Sequence, residues 1–105
     1  MASTLYTTDG RVKTVRPSNG KFWTLEEKQA IVGGYFELKR TLTGEYMVIN
    51  ETGKIQSPML PLNIWATRIY QHGRTDPLVG EVLVVDTREE LEEPEADEDG
   101  AETLK

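Results

Sequence analysis

The chain has no cysteine. That excludes a disulfide framework, thiolate zinc sites and cysteine nucleophiles, and it fits a reducing compartment. Histidine occurs once, as His72. One imidazole with no nucleophile and orienting group beside it is not a hydrolytic pattern. His72 reads instead as a side chain in the last turn of a helix, where a cation suits the dipole. Long hydrophobic runs are missing too. The longest is Val82-Leu83-Val84-Val85, far short of the about 18 residues that suggest a membrane span. Residues 1–6 carry no positive cluster and no apolar stretch, so a secretory signal is not expected. Asn50-Glu51-Thr52 then matches the glycosylation pattern by chance. The expected location is the cytoplasm, with no membrane contact and no cofactor.

What is present fits one small domain. At 105 residues the chain has room for one hydrophobic core. Its net charge of −6 is unevenly spread. Residues 87–105 hold nine acidic and two basic side chains, a charge of −7, while residues 1–86 hold nine acids and ten bases, a charge of +1. The body is nearly neutral and the acidity sits in a C-terminal appendage. The expected organisation is therefore a single α+β domain over residues 1–86 and a disordered acidic tail over 87–105. From Glu95 onward there is too little apolar surface to offset the entropy of ordering.

Local patterns supply the elements. Asp9-Gly10 between β-prone runs predicts a hairpin with a type I′ turn. Thr24-Leu25-Glu26-Glu27 is a capping box, which predicts a helix over 25–32 with Gly33 at its C-terminal cap. Residues 35–42 read as a strand with Phe36, Leu38 and Leu42 on one face. Residues 46–49 read as another, and 54–55 as a short third. Asn63 is a good N-cap for a second helix over 64–71, ending near Gly73. The apolar run within 81–86 predicts a strand buried on both faces, hence central in its sheet. The order is ββαββ(β)αβ, which a small, mostly antiparallel sheet with two short helices on one face satisfies. After Thr87, residues 88–93 read as a frayed helix that Pro94 stops.

Candidate sites are few. Arg11, Lys13, Arg16 and Lys21 cluster around the first hairpin. With Phe22 and Trp23 adjacent they suggest phosphate contacts and base stacking. The plainer reading is a solvated hairpin face with both aromatics in the core. Trp65, Arg68 and Tyr70 share the second helix and are typical interface anchors, although Trp65 and Ile69 also sit four apart like a core stripe. Gly33-Gly34 follows a helix rather than a strand, so it reads as a helix stop and not a phosphate loop. The tail carboxylates lack the glycine and spacing of a calcium loop. Glu37, Glu45 and Asp86 are candidate acid–base groups, but their spacing brings no two together.

The ordered phrases of the body resemble a small family of uncharacterised proteins from bacteria, phages and mobile elements, known only as a domain of unknown function. Those phrases are Thr24-Leu25-Glu26-Glu27, Val32-Gly33-Gly34-Tyr35 with Glu37, Asn50-Glu51-Thr52-Gly53-Lys54, Pro61-Leu62-Asn63 with Ala66-Thr67, and Asp76-Pro77-Leu78-Val79-Gly80 leading into Val82-Leu83-Val84. They lie within residues 11–86 and leave the tail outside. The resemblance implies a compact α+β domain and a phage or mobile-element origin, and it carries no catalytic residue. Asn50, Lys54 and Asn63 are its polar members that suggest a ligand role. The expectation is a non-catalytic binding module acting on a host macromolecule, with a host protein as the partner. A small-ligand or nucleotide-sequestering domain is the alternative, and a nucleic-acid-binding accessory protein is the weaker one. The residues expected to carry binding are Lys21, Trp23, Asn50, Lys54, Asn63 and Arg68. Metal ligands and catalytic residues are not expected, and the oligomeric state is left open.

Overall fold

A computed structural model of the chain describes residues 3–41, 43–70 and 76–91. Leu42, His72, Gly73 and the chain after Leu91, and the readings made on them, lie outside the described residues.

The first hairpin joins strand β1 (Ser3–Tyr6) to β2 (Val12–Val15). Its turn is not type I′. Among the described residues only glycines have positive φ, and Gly10 (φ +91°) is the one in this turn. Thr7 N–H donates to the Arg11 carbonyl at 2.9 Å and Gly10 N–H to the Thr7 carbonyl at 3.1 Å. A three-residue loop results, with Gly10 as its left-handed residue. The Thr7 hydroxyl, bonded to the Asp9 carboxylate, accepts from Arg11 N–H at 3.0 Å. Those bonds favour the longer loop.

Helix α1 (Leu25–Val32) forms where the capping box predicts it. Thr24 Oγ1 accepts from Glu27 N–H at 3.1 Å, and Glu27 Oε1 accepts from Thr24 N–H at 2.9 Å. Gly33 (φ +84°) closes the helix. Strands β3 (Phe36–Arg40) and β4 (Tyr46–Asn50) form the second hairpin. Residues 54–55 form no strand. The chain there makes turns, and an isolated bridge joins Leu62 to Val79 instead. Helix α2 (Ile64–Ile69) is short and capped by Asn63. Strand β5 (Val82–Val85) follows, then a 3₁₀ helix over Arg88–Leu91.

The five strands make one antiparallel sheet in the order β2-β1-β5-β4-β3, with β5 central as the apolar run predicts. The two helices lie on opposite faces, not on one. Met47, Ile49, Val82 and Val84 pack with Ala66 of α2 and with Tyr70, which caps it. Val48, Leu83 and Val85 pack with Val32 of α1, Trp23 and Leu91. Alternation along β4 and β5 sends neighbouring residues to opposite faces. β5 is apolar throughout and β4 is apolar from Met47 to Ile49, so each face needs its own cover. A fully buried Val or Leu contributes about 1.5–3 kcal/mol, and neither face can be left open.

The packed chain runs past Asp86. Leu91 is 3% exposed, and the buried Glu90 ties the 3₁₀ helix to the body. Its backbone carbonyl accepts from Trp23 N–H at 2.6 Å. Its carboxylate accepts from the Ser3 hydroxyl at 3.2 Å and from Thr87 N–H at 3.3 Å. The buried Lys28 ammonium of α1 donates to the Leu91 carbonyl at 2.5 Å.

Candidate interaction site

Three of the six expected binding residues have internal work. Trp23 is 5% exposed, and its indole Nε1–H donates to Ser3 Oγ at 2.9 Å. It is a core residue with its polar edge satisfied, so its ring is not offered for stacking beside the exposed Lys21, while Phe22 is half-buried. Buried Asn50 donates through Nδ2 to the Val32 carbonyl at 2.9 Å and accepts from Thr52 N–H at 2.8 Å. It locks the end of α1 to β4. Asn63 is fully buried. Its Oδ1 accepts from Ala66 N–H at 3.1 Å, and its Nδ2 donates to the Tyr6 and Gly80 carbonyls, each at 2.8 Å. Both amide hydrogens are used, which leaves no donor for a ligand.

Lys54 and Arg68 are at the surface. Lys54 pairs with Asp76, and Lys39 lies 3.6 Å from the same carboxylate. The hydrogen bond from Lys54, then the charges of Lys54 and Lys39, hold Asp76 below the usual carboxylate range although burial opposes this. Burial acts to lower Lys39, but the Tyr70 hydroxyl and the carboxylates of Glu37 and Asp76 outweigh it and raise the ammonium. Both lysines border a cleft of about 200 Å³ that also takes in Glu37, Asn50 and Glu51. Asn50 and Lys54 thus meet at one cleft, while Asn63 is not among its lining residues. With three carboxylates against two ammonium groups, the cleft has no net pull on an anion.

A second cavity, about 240 Å³, brings together two carboxylates whose sequence spacing keeps them apart. Tyr46 faces Val85 across β4 and β5, so Glu45 and Asp86 reach the same end of the sheet. The Thr41 hydroxyl and then that of Thr43 hold Glu45 below its ordinary value, which keeps it ionised and unsuited to donating a proton at neutral pH. Among the described residues no three His, Cys, Asp or Glu side chains gather to hold a metal.

The outer side of α2 is different in kind. Ala66 and Tyr70 face the sheet, and Ile69 packs beside them. The helical period then turns Ile64, Trp65 and Arg68 outward. Trp65 is 43% exposed and Ile64 58% exposed. The Arg68 guanidinium lies 5.3 Å from the centre of the Trp65 ring, a cation–π distance. With Thr8, Asp9 and Gly10 of the first turn, these three line a groove of about 410 Å³. The preceding loop adds Ile55 (82% exposed), Met59 (58%) and Leu62 (50%). Scattered exposed apolar residues are ordinary. Five large ones lie between Ile55 and Trp65 in the chain, and of these Ile64 and Trp65 share the groove while Ile55 borders the cleft at Asp76. Pro58 and Pro61 are the sequence signal for the loop part, since they prevent a regular element that would bury those side chains.

Among the described residues no helix is long and apolar enough to cross a membrane. Neither the curated proteins nor the solved structures contain a match to this chain. A family model does match, over residues 5–102. It extends beyond the phrases within 11–86 and takes in most of the acidic segment. The chain therefore belongs to the family described as domain of unknown function DUF3846.

Proposed function

We propose that this protein is a non-catalytic binding module, of phage or mobile-element origin, that captures a protein of its bacterial host in the cytoplasm through the outer face of α2. The observation that carries this reading is the exposed Trp65 with Arg68 stacked on it beside an open groove. Tryptophan and arginine are the residues on which interface energy most often concentrates. Their pairing here is pre-formed, which lowers the cost of ordering them on binding. Ile64, which lines the same groove, supplies apolar surface beside the pair.

The test compares the wild-type chain with the Trp65→Ala, Arg68→Ala double variant as baits in bacterial lysate. The wild type is expected to retain a host protein in stoichiometric amount. The variant is expected to retain it at least about tenfold less, equal to about 1.4 kcal/mol, with its unfolding midpoint nearly unchanged. Equal retention of the same proteins by both baits would rule out the α2 face. A nucleotide-sequestering role has a weaker basis, because Trp23 is buried and Lys39 and Lys54 are paired with Asp76. A nucleotide screen by thermal shift tests it, since tight ligands raise stability by a few kcal/mol at saturation.

A further inference from the structure

The sheet has two edges, and they differ in charge. Strand β3 carries both signs, Glu37 with Lys39 and Arg40, and Lys39 is engaged by Asp76. Strand β2 carries one. Arg11, Lys13 and Arg16 are all exposed on or next to it. The acid beside them, Asp9, is 3.5 Å from Arg11. No ion pair among the described residues engages Lys13 or Arg16.

The backbone of β2 is open as well. The Thr7–Arg11 bond closes the hairpin, and the register pairs Leu5 with Lys13 and Ser3 with Val15. Hydrogen-bonded and non-bonded pairs alternate in an antiparallel ladder. Lys13 and Val15 therefore bond to β1, while the N–H and C=O groups of Val12 and Thr14 point away from the sheet. Val12, Lys13 and Thr14 are exposed, with no proline inside the strand. Alternation also sorts the side chains. Arg11 and Lys13 share a face with Val15, which packs on the α1 side of the sheet. Val12 (55% exposed) lies opposite Tyr6, which packs on the α2 side.

We infer that the β2 edge takes an extended acidic peptide segment as a sixth strand. Its backbone bonds to Val12 and Thr14, its Asp or Glu side chains alternate onto the face of Arg11 and Lys13, and its apolar side chains lie on the Val12 face. Strand addition of this kind draws affinity from main-chain bonds and specificity from alternate side chains. Charge selects the occupant. A second copy pairing through β2 would set Lys13 and Arg11 against their own like charges, and an edge lysine is a common guard against such pairing. An acidic strand turns the same groups into attraction. The inference names a partner chemistry for the proposed binding role and rests on that role for its biological meaning.

The test uses the full-length chain and a fluorescent eight-residue peptide of alternating Glu and Val, followed by anisotropy at low salt. Saturable binding is expected. Methylating the backbone nitrogens of alternate residues, in both possible registers, should show one register that weakens binding at least about tenfold. Lys13→Glu should weaken it similarly. So should Thr14→Pro, which removes an outward N–H at a position where an edge strand tolerates proline. The Trp65→Ala, Arg68→Ala variant should bind the peptide normally, so failure here and failure of the α2 face can be told apart. No saturation up to about 1 mM peptide, or binding indifferent to N-methylation in both registers, would overturn the strand-addition inference. So would a single-stranded oligonucleotide that binds more tightly and displaces the peptide, because the basic edge would then be a nucleic-acid contact.

Discussion

Replacing Asn63 with alanine should cost more than any single surface change in this protein. The side chain is fully buried and makes three hydrogen bonds. Its removal strips the N-cap of α2, worth about 1 kcal/mol. It also leaves the Tyr6 and Gly80 carbonyls without their donor, at about 1 kcal/mol or more each in a buried setting. The sum is about 3–4 kcal/mol, against a total stability for such domains of about 5–15 kcal/mol. Asn63→Asp sharpens the test. It keeps an acceptor for Ala66 N–H but turns a carboxylate oxygen toward two carbonyl oxygens. At neutral pH it should be at least as damaging as alanine. Burial and the carbonyls would raise the folded-state pKa of the new carboxyl above about 3.9, so its penalty should shrink as pH falls toward that value. Urea unfolding followed by tryptophan fluorescence measures both variants. An alanine variant within about 1 kcal/mol of wild type, or an aspartate variant as stable as wild type at neutral pH, would mean that these three bonds do not hold the fold as described.

Three further outcomes are expected. Leu91→Ala should lose about 2–5 kcal/mol, and a chain ended at Asp86 should unfold earlier than the full chain in the same urea titration, because Glu90 and Leu91 are buried against the body. The Glu27 carboxyl is pushed down to about 2, first by Thr24 N–H and then by Ser18 N–H. Its folded pKa lies below the unfolded value of 4.5, so its stabilisation is complete above about 4.5 and is lost as pH falls toward 2. Glu27→Gln should therefore reduce the loss of urea midpoint between neutral and acidic pH, by an amount of about 1 kcal/mol for a partly exposed cap. Gly80→Ala should cost about 1–2 kcal/mol in thermal unfolding, since Gly80 sits at φ +79° and an added Cβ would lie 2.9 Å from Leu60 Cδ1.

Much of this fold is legible in short phrases whose physics is local. The capping box at Thr24 and Glu27, the cap at Gly33 and the cap at Asn63 act within a few residues, and each forms as written. The run Val82-Leu83-Val84-Val85 identified the central strand. The same run held a further message, because a strand buried on both faces needs cover on both. Two helices on one face was therefore inconsistent with it, and the structure resolves the conflict by splitting them. The first turn was right in place and wrong in type. Asp9-Gly10 marks a hairpin, but the hydroxyl of Thr7 decides the loop length.

The candidate site was less legible because burial is a tertiary property. The two tryptophans are buried and exposed the opposite way round from what their neighbours suggest. Trp23, beside Lys21 and Phe22, looks like a binding residue and lies in the core. Trp65, four residues from Ile69, looks like core and is half exposed. A six-residue helix is too short for its periodicity to say which side faces the sheet. Asn50 and Asn63 show the converse. Polar residues within the family phrases suggest a ligand, yet each is bonded to backbone groups that only the assembled sheet brings near. Glu45 and Asp86 meet through strand register, which no spacing in the chain displays.

Site-specific photo-crosslinking in living bacterial cells shows whether the outer face of α2 meets a host protein. A photoreactive residue at Ile64 reports on the proposed face, and one at Leu25 of α1, on the opposite side of the sheet and of similar exposure, serves as the control. A discrete adduct with one host protein is expected from position 64, abolished by Arg68→Ala, and no such adduct from position 25. Equal adducts from both positions, or none from position 64 in cells where the protein is folded, would contradict the proposed capture through α2.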